Sequence, residues 1–256
     1  MIRVLHFVHR TPPAYSGAAT QALALASRLR DHGVDSTICG YTRDRSERDT
    51  EIDGVPVHHI PIRGGLSGKV LQYASLLGWL LRSPADLVHV HGFYLPVIAA
   101  GLLRRQPVVL KTTMHGVDDL STLARRGGMV RAAIRRVDRV IAVSEQLQNA
   151  NRQIRSSLLV PNGVDTARFT PEGRDRARRE VCREFELDPS RTLFLYNGGD
   201  SERKGYTRLP ALWQRILTGF GTGEAQLLVT GRFQNSRHAS TLAQTAPDSI
   251  RVVPRV

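Results

Sequence analysis

The loop Asn197-Gly198-Gly199-Asp200-Ser201-Glu202-Arg203-Lys204-Gly205 concentrates residue types that hold an anion. Gly198 and Gly199 open the backbone to close approach, and Arg203 with Lys204 place positive charge where a following helix would present its free amides. A diphosphate suits such a loop. The order Lys-Gly differs from the Gly-Lys-Ser/Thr of nucleotide-hydrolysing phosphate loops, so ATP hydrolysis is not indicated. A solvated, charged helix start would carry the same residues. A second candidate lies in Ser16-Gly17-Ala18-Ala19. Ser16 can cap the helix that follows, and Gly17 and Ala18 leave amides bare at its positive end. That suits an oxyanion or phosphate, and equally an ordinary strand-to-helix loop.

Histidines form the other chemical set. His91-Gly92 follows Leu87-Val88-His89-Val90, and His115-Gly116 follows the run from Val108 to Met114, with Thr113 just before it. Both histidines close apolar runs and are expected on one rim, where an imidazole can donate to a substrate oxygen or move a proton near neutral pH. A histidine that only caps its loop reads the same way. His89 and His91 form an H-x-H pair without a carboxylate or cysteine partner in the pattern, so metal binding is not expected. His58 and His59 are adjacent on a strand and must point to opposite faces.

These groups need a scaffold. Short apolar runs at about 2–8, 35–39, 55–61, 86–90, 107–112 and 138–143 alternate with amphipathic stretches. The alternation predicts a mostly parallel sheet covered on both faces. Leu158 to Val160 reads as a further strand, stopped by Pro161, and Asn162-Gly163 favours a tight turn with positive φ. The pattern then restarts: a polar helix near 174–185, strands at 193–196, 227–230 and 250–253, and helices near 209–217 and 240–246. Three strands are fewer than the usual five or six, so more of the second domain is expected beyond Val256.

The formal net charge is +13, carried almost wholly by arginine, since Lys69, Lys111 and Lys204 are the only lysines. The part up to Asp165 contributes +8 and the rest +5, so the excess is spread over both halves. Such a field suits anionic partners, although an arginine-rich but ordinary surface would give the same number. Cys39 and Cys182 fall in different halves and offer no disulfide framework, which points to a reducing, cytoplasmic setting. The apolar run after Met1 is too short for a signal peptide, and no run approaches the roughly 18 residues of a membrane span.

Five segments in order, Pro13 to Ala19, Asp86 to Gly92, Thr112 to Gly116, Asp138 to Glu145 with Pro161 to Pro171, and Gly198 to Gly205, resemble those of a GT-B glycosyltransferase of family 4, the retaining nucleotide-sugar enzymes. The resemblance implies an α/β chain of two Rossmann-like doubly wound domains: residues 1–165 on the acceptor side, and residues 166–256 as a partial nucleotide-sugar donor domain. It implies transfer of a sugar from a UDP- or GDP-linked donor to an acceptor hydroxyl, without a metal or other cofactor, in cell-surface polysaccharide or glycolipid synthesis. By position, His115 matches the catalytic histidine that contacts the donor sugar. Gly17, Ala18, Gly198, Gly199, Arg203 and Lys204 match the diphosphate site, with Lys204 neutralising the leaving group, and Tyr15, His91 and Thr113 match the acceptor-side cleft. Gly199 stands where the family often has arginine. The family's E-x7-E motif is expected beyond Val256, since Glu172 and Glu180 fit the spacing only by chance, and the chain as it stands is expected to bind donor weakly.

Two other partners compete. Gly64 to Arg82 pairs an apolar helical face with Lys69 and Arg82, and reads best as a helix packed on the sheet. Arg125, Arg126, Arg131, Arg135 and Arg136 crowd a second helix, the expected point of peripheral contact with an anionic membrane that would carry a lipid-linked acceptor. No basic stripe interleaved with aromatics and no helix-turn-helix or zinc pattern supports specific nucleic-acid binding. A non-catalytic module that binds a sugar nucleotide or a partner is the alternative function.

Overall fold

The computed structural model describes residues 1–11, 16–43, 49–221 and 223–254. Tyr15, named above for the acceptor side, lies outside them. The chain divides into two compact units, Met1–Val164 and Asp165–Val256.

The first unit runs β1 Ile2–Val8, α1 Gly17–Arg30, β2 Val34–Thr42, β3 Thr50–Ile52, β4 Val55–Pro61, α2 Gly65–Arg82, β5 Leu87–His91, α3 Leu95–Leu103, β6 Val108–Thr112, α4 Leu120–Ala124, α5 Gly128–Arg136, β7 Arg139–Ala142, α6 Glu145–Arg152 and β8 Leu158–Leu159. Its sheet has the order β3-β4-β2-β1-β5-β6-β7-β8, parallel except for the β3 edge. The chain winds outward from β1 through β2 and β4, then returns to β5 on the other side. The carboxyl ends of β1 and β5 therefore form a topological switch point, the place where open α/β sheets bind ligands.

Because side chains alternate along a strand, each strand feeds two cores. Leu5, Phe7, Tyr41, Ile60, Val88, Val90, Leu110 and Val140 share one face with residues of α2, α3 and α5, including Leu76, Leu80, Ile98 and Ile134. Val8, Ile38, Val55 and Val57 pack on the other against Ala19, Ala22 and Ala26 of α1. Gly101 in α3 is a packing glycine, because a Cβ there would lie 2.7 Å from Val108 Cγ2. The two adjacent histidines of β4 split as strand alternation requires: His58 stacks on Trp79 of α2 at 4.3 Å, and His59 faces Thr11.

The second unit runs α7 Arg174–Glu184, β9 Thr192–Asn197, α8 Leu209–Phe220, β10 Ala225–Gly231, α9 Ser236–Thr245 and β11 Ile250–Pro254. Its three parallel strands take the order β11-β10-β9. Trp213 anchors its core among Leu209, Leu227, Val229 and Leu242, and donates its indole N–H to Ser249 Oγ at 3.0 Å.

The connection differs from expectation. Neither Asn162 nor Gly163 adopts positive φ, and the chain from Val160 to Asp165 makes no tight turn. The turn falls one step later, because Asp165 Oδ1 accepts from the amides of Ala167 and Arg168 at 3.1 and 3.2 Å while its carbonyl accepts from Phe169 N–H. The Asp165 side chain thus closes an Asx-type turn on its own backbone.

Candidate functional site

In the second unit, β9 ends at Asn197 and the loop that follows carries the basic pair. Arg203 and Lys204 form, with Glu202, a single 3-10 turn that Gly205 closes at φ +87°, in the left-handed region that glycine tolerates. The α-helix begins only at Leu209, after a second 3-10 turn at Tyr206–Arg208, so the basic pair precedes the free amides of the helix rather than sharing its first turn as expected. Lys204 lines a cleft with Tyr196, Arg208 and Arg215, so its cation is one of three there. The loop is tied down by Asp200, whose Oδ2 accepts from Gln234 N–H at 2.9 Å and Asn235 N–H at 3.0 Å. Those amides hold the Asp200 carboxyl below the usual range despite its desolvation.

The glycine pair serves a different neighbour from the one expected. A Cβ on Gly199, which sits at φ +58°, would lie 1.9 Å from the carbonyl oxygen of Arg232, and one on Gly198 would lie 2.4 Å from Tyr196 Oη. Both glycines let β9 close against its own domain.

In the first unit, the Ser16 side chain caps α1 by accepting from Ala19 N–H, and a Cβ on Gly17 would meet none of the described residues within 4 Å. The loop after β6 is shaped by two carboxylates that sequence reasoning passed over. Asp118 Oδ1 accepts from Thr113 N–H and Met114 N–H at 2.8 and 2.7 Å, and its Oδ2 accepts from the Thr113 hydroxyl at 2.7 Å. Asp119 accepts from Gly116 N–H at 2.6 Å, from Ser121 Oγ and from Thr122 N–H, the last bond capping α4. Burial would raise the Asp119 pKa, but these donors outweigh it and hold it at about 2. The result is a rigid loop that presents His115 exposed at its tip, while Thr113 is spent inside it. The Asp-Asp pair directly after His-Gly-Val was the available signal.

His91 does not stand on that rim. It is 2% exposed, and its Nε2 lies 3.2 Å from Nδ1 of His6, whose Nε2 in turn lies 3.3 Å from Ser36 Oγ. Strand register explains this: His6 sits opposite His89, and His91 two residues on faces the same side, in register with Lys111. Burial drives His6 down to about 4 and His89 to about 3, with Lys111 and neighbouring rings adding to the shift, and pushes His91 well below its ordinary value. These rings are neutral at physiological pH; His6 and His91 hydrogen-bond to each other, while the buried Nε2 of His89 has no partner among the described residues. Their ligand atoms lie within 4.8 Å of one another, and Lys111 stands in register with His91 beside them. The cluster is a polar seam under the sheet.

Comparisons with known proteins fit this architecture. The family model described as Glycosyltransferase Family 4 matches residues 15–168, more than half of the chain. No curated protein matches in a sequence search. Among solved structures, sucrose-phosphate synthase from Thermosynechococcus elongatus aligns over 100% of this chain and 71% of its own at TM-score 0.72 and 17% identity. The catalytic domain of starch synthase IV from Arabidopsis thaliana, bound to ADP and acarbose, aligns over 100% and 74% at TM-score 0.69 and 14% identity. Anabaena HepE in complex with UDP-glucose aligns over 100% and 70% at TM-score 0.68 and 15% identity. At such identities the structures speak for a shared GT-B fold, whereas the sequence model assigns the family. The chain belongs to glycosyltransferase family 4.

Proposed function

We infer that this protein transfers a sugar, with retention at the anomeric carbon, from a nucleoside diphosphate sugar to an acceptor hydroxyl in the synthesis of a cell-surface polysaccharide or glycolipid. The observation that carries the reading is the cation cleft around Lys204, within a family of glycosyltransferases. As the C1–O bond to the diphosphate breaks, negative charge grows on the leaving oxygen, and a fixed cation stabilises it more in the transition state than in the bound donor. Lys204 takes that role, with Arg203 in place of the arginine absent at Gly199. The acceptor hydroxyl forms the new C1–O bond and loses its proton to a departing phosphate oxygen on the same face, which keeps the configuration. His115, held at the tip of a carboxylate-braced loop, donates to a donor-sugar hydroxyl. Neighbours of the same fold bound to UDP-glucose and to ADP support a nucleotide donor and leave the base open.

The test is to incubate the chain with UDP- and GDP-sugars and an acceptor-bearing lipid extract, then follow nucleotide release and the anomeric proton coupling of the product. Acceptor-dependent release with unchanged anomeric configuration is the expected result. Inverted product would refute retention, and nucleotide binding without release would favour the non-catalytic module.

A further inference from the structure

His6, His89 and His91 meet on the side of the first sheet opposite to the one that α2, α3 and α5 cover, because each alternates along its strand with residues of that core. The sequence offered only the H-x-H pair of β5, which lacks a third ligand. The register of β1 on β5 supplies it, since His6 stands opposite His89 and its Nδ1 lies 3.2 Å from His91 Nε2. One ligand nitrogen from each ring lies within 4.8 Å of the other two. All three residues are buried.

Two details point to a ligand between the rings. The buried Nε2 of His89 has no hydrogen-bond partner among the described residues, and an orphaned nitrogen of this kind costs free energy until something satisfies it. The second detail is spacing. Two imidazoles on one tetrahedral ion, each at about 2.0–2.1 Å, hold their nitrogens about 3.3–3.4 Å apart. At 3.2 Å, His6 and His91 already stand at that separation, so an ion can replace their shared proton with little movement. His89 stacks on His91 at 4.2 Å, and rotation about its soft χ2 closes the third distance. On the far side of its ring, His6 Nε2 lies 3.3 Å from Ser36 Oγ. A metal-ligating histidine needs such an outer partner, because an N–H donated away from the ion holds the ring and leaves the other nitrogen as a lone pair.

We propose that His6, His89 and His91 bind one divalent ion of the zinc class, with water as the fourth ligand, tying β1 to β5 beneath the switch point of the sheet. Imidazole nitrogens suit zinc, copper, nickel and cobalt, whereas magnesium and calcium take oxygen ligands. The ion serves the fold and takes no part in the sugar transfer inferred above, so its test is independent of that reading. Lys111 opposes it: the residue stands in register with His91, and its charge acts on all three rings. Removing that cation should therefore tighten the site.

The experiment strips the full chain with EDTA, dialyses it and adds cobalt(II) as a visible probe. One ion per chain should bind with the strong visible bands of a four-coordinate site, and one equivalent of zinc should bleach them while magnesium does not. X-ray absorption of the zinc-loaded chain should count three imidazoles at about 2.0–2.1 Å. Ser36→Ala should weaken binding about tenfold, and His89→Gln beyond the roughly 10–100-fold that loss of an outer partner costs. Lys111→Met, close in volume, should tighten it about tenfold, a gain that no purely structural role of the lysine produces. Thermal unfolding of each metal-free variant shows whether it is folded; should His89→Gln fail to fold, the ligand count of the unmodified chain and Lys111→Met decide. No bound cobalt, fewer than three imidazoles, or an affinity unmoved in Lys111→Met would overturn the proposal. An ion retained in His89→Gln and released in His58→Gln would belong to the His58–Asp49 pair, and would overturn it as well.

Discussion

Acidification should destabilise the first unit well above the pH at which its carboxylates titrate. His6, His89 and His91 are neutral inside the fold, with His6 at about 4 and His89 at about 3, while an unfolded histidine titrates near 6.5. Below about pH 6.5 the unfolded chain binds protons that the folded chain refuses, so stability falls as pH falls, and the loss levels off only below the folded values. Between pH 7 and 5 each such ring contributes a loss of about 1.8 kcal/mol, hence about 5 kcal/mol for three, against a total stability of about 5–15 kcal/mol. Asp86 and Asp119, both held at about 2, lose their contribution only as pH falls below the ordinary carboxylate value near 4, outside this window. The assay is urea unfolding from pH 7.5 to 5, with hydrogen exchange of peptides covering β1 and β5 as the local reading. His89→Leu, which removes one of three titrating rings, should lower the slope by about a third. A stability that stays flat from pH 7 to 5, or a slope unchanged in His89→Leu, would refute the neutral buried seam.

Other consequences are simpler to check. Asp118→Asn removes the charge that gathers Thr113 and Met114 amides; the loop should loosen, with faster hydrogen exchange at 113–118 and lower turnover while the global melting transition moves little. His115→Ala should reduce kcat on the order of 10²-fold with the fold intact, read from initial rates and circular dichroism. Gly199→Ala should destabilise the second unit strongly, because its Cβ would collide with Arg232 backbone at positive φ, and guanidinium titration would show it. Trp213→Ala empties the core of the same unit and should cost about 3–5 kcal/mol in that titration.

How much of this was legible in the sequence depended on how local each determinant is. Strand β1 announces itself by Val4, Leu5, Phe7 and Val8 clustered before turn residues, and β9 by the apolar run Leu193 to Tyr196, although as an edge strand it is only part-buried, with Leu195 66% exposed. The strands at 225–231 and 250–254 follow the same logic, and the polar helix expected near 174–185 is α7, Arg174–Glu184. α3 was harder to see, although Pro96 in its first turn is a start signal. The site was legible in type and misread in neighbourhood. His91 closes its strand as expected, but its partner His6 lies 85 residues away, and only the β1–β5 register shows that the two rings meet. Gly198 and Gly199 read as places for close approach of a ligand, and the groups that the fold itself brings against them are Tyr196 of the same strand and Arg232 of the loop after β10. The apolar positions of α2 fit a packed helix because both of its sides are apolar, and a period of 3.6 does not tell which side meets the sheet.

The central claim is that the Lys204 cleft holds a nucleoside diphosphate, and thermal unfolding of the full chain with UDP, GDP and their sugar conjugates tests it most directly, with Lys204→Ala beside it. Lys204 is exposed, so its replacement leaves the fold intact. One nucleotide at 100 times its Kd should stabilise the protein by about 2.7 kcal/mol, and the variant should lose that protection at the same concentration. Equal protection of the variant, or no protection by any nucleotide, would contradict the assignment.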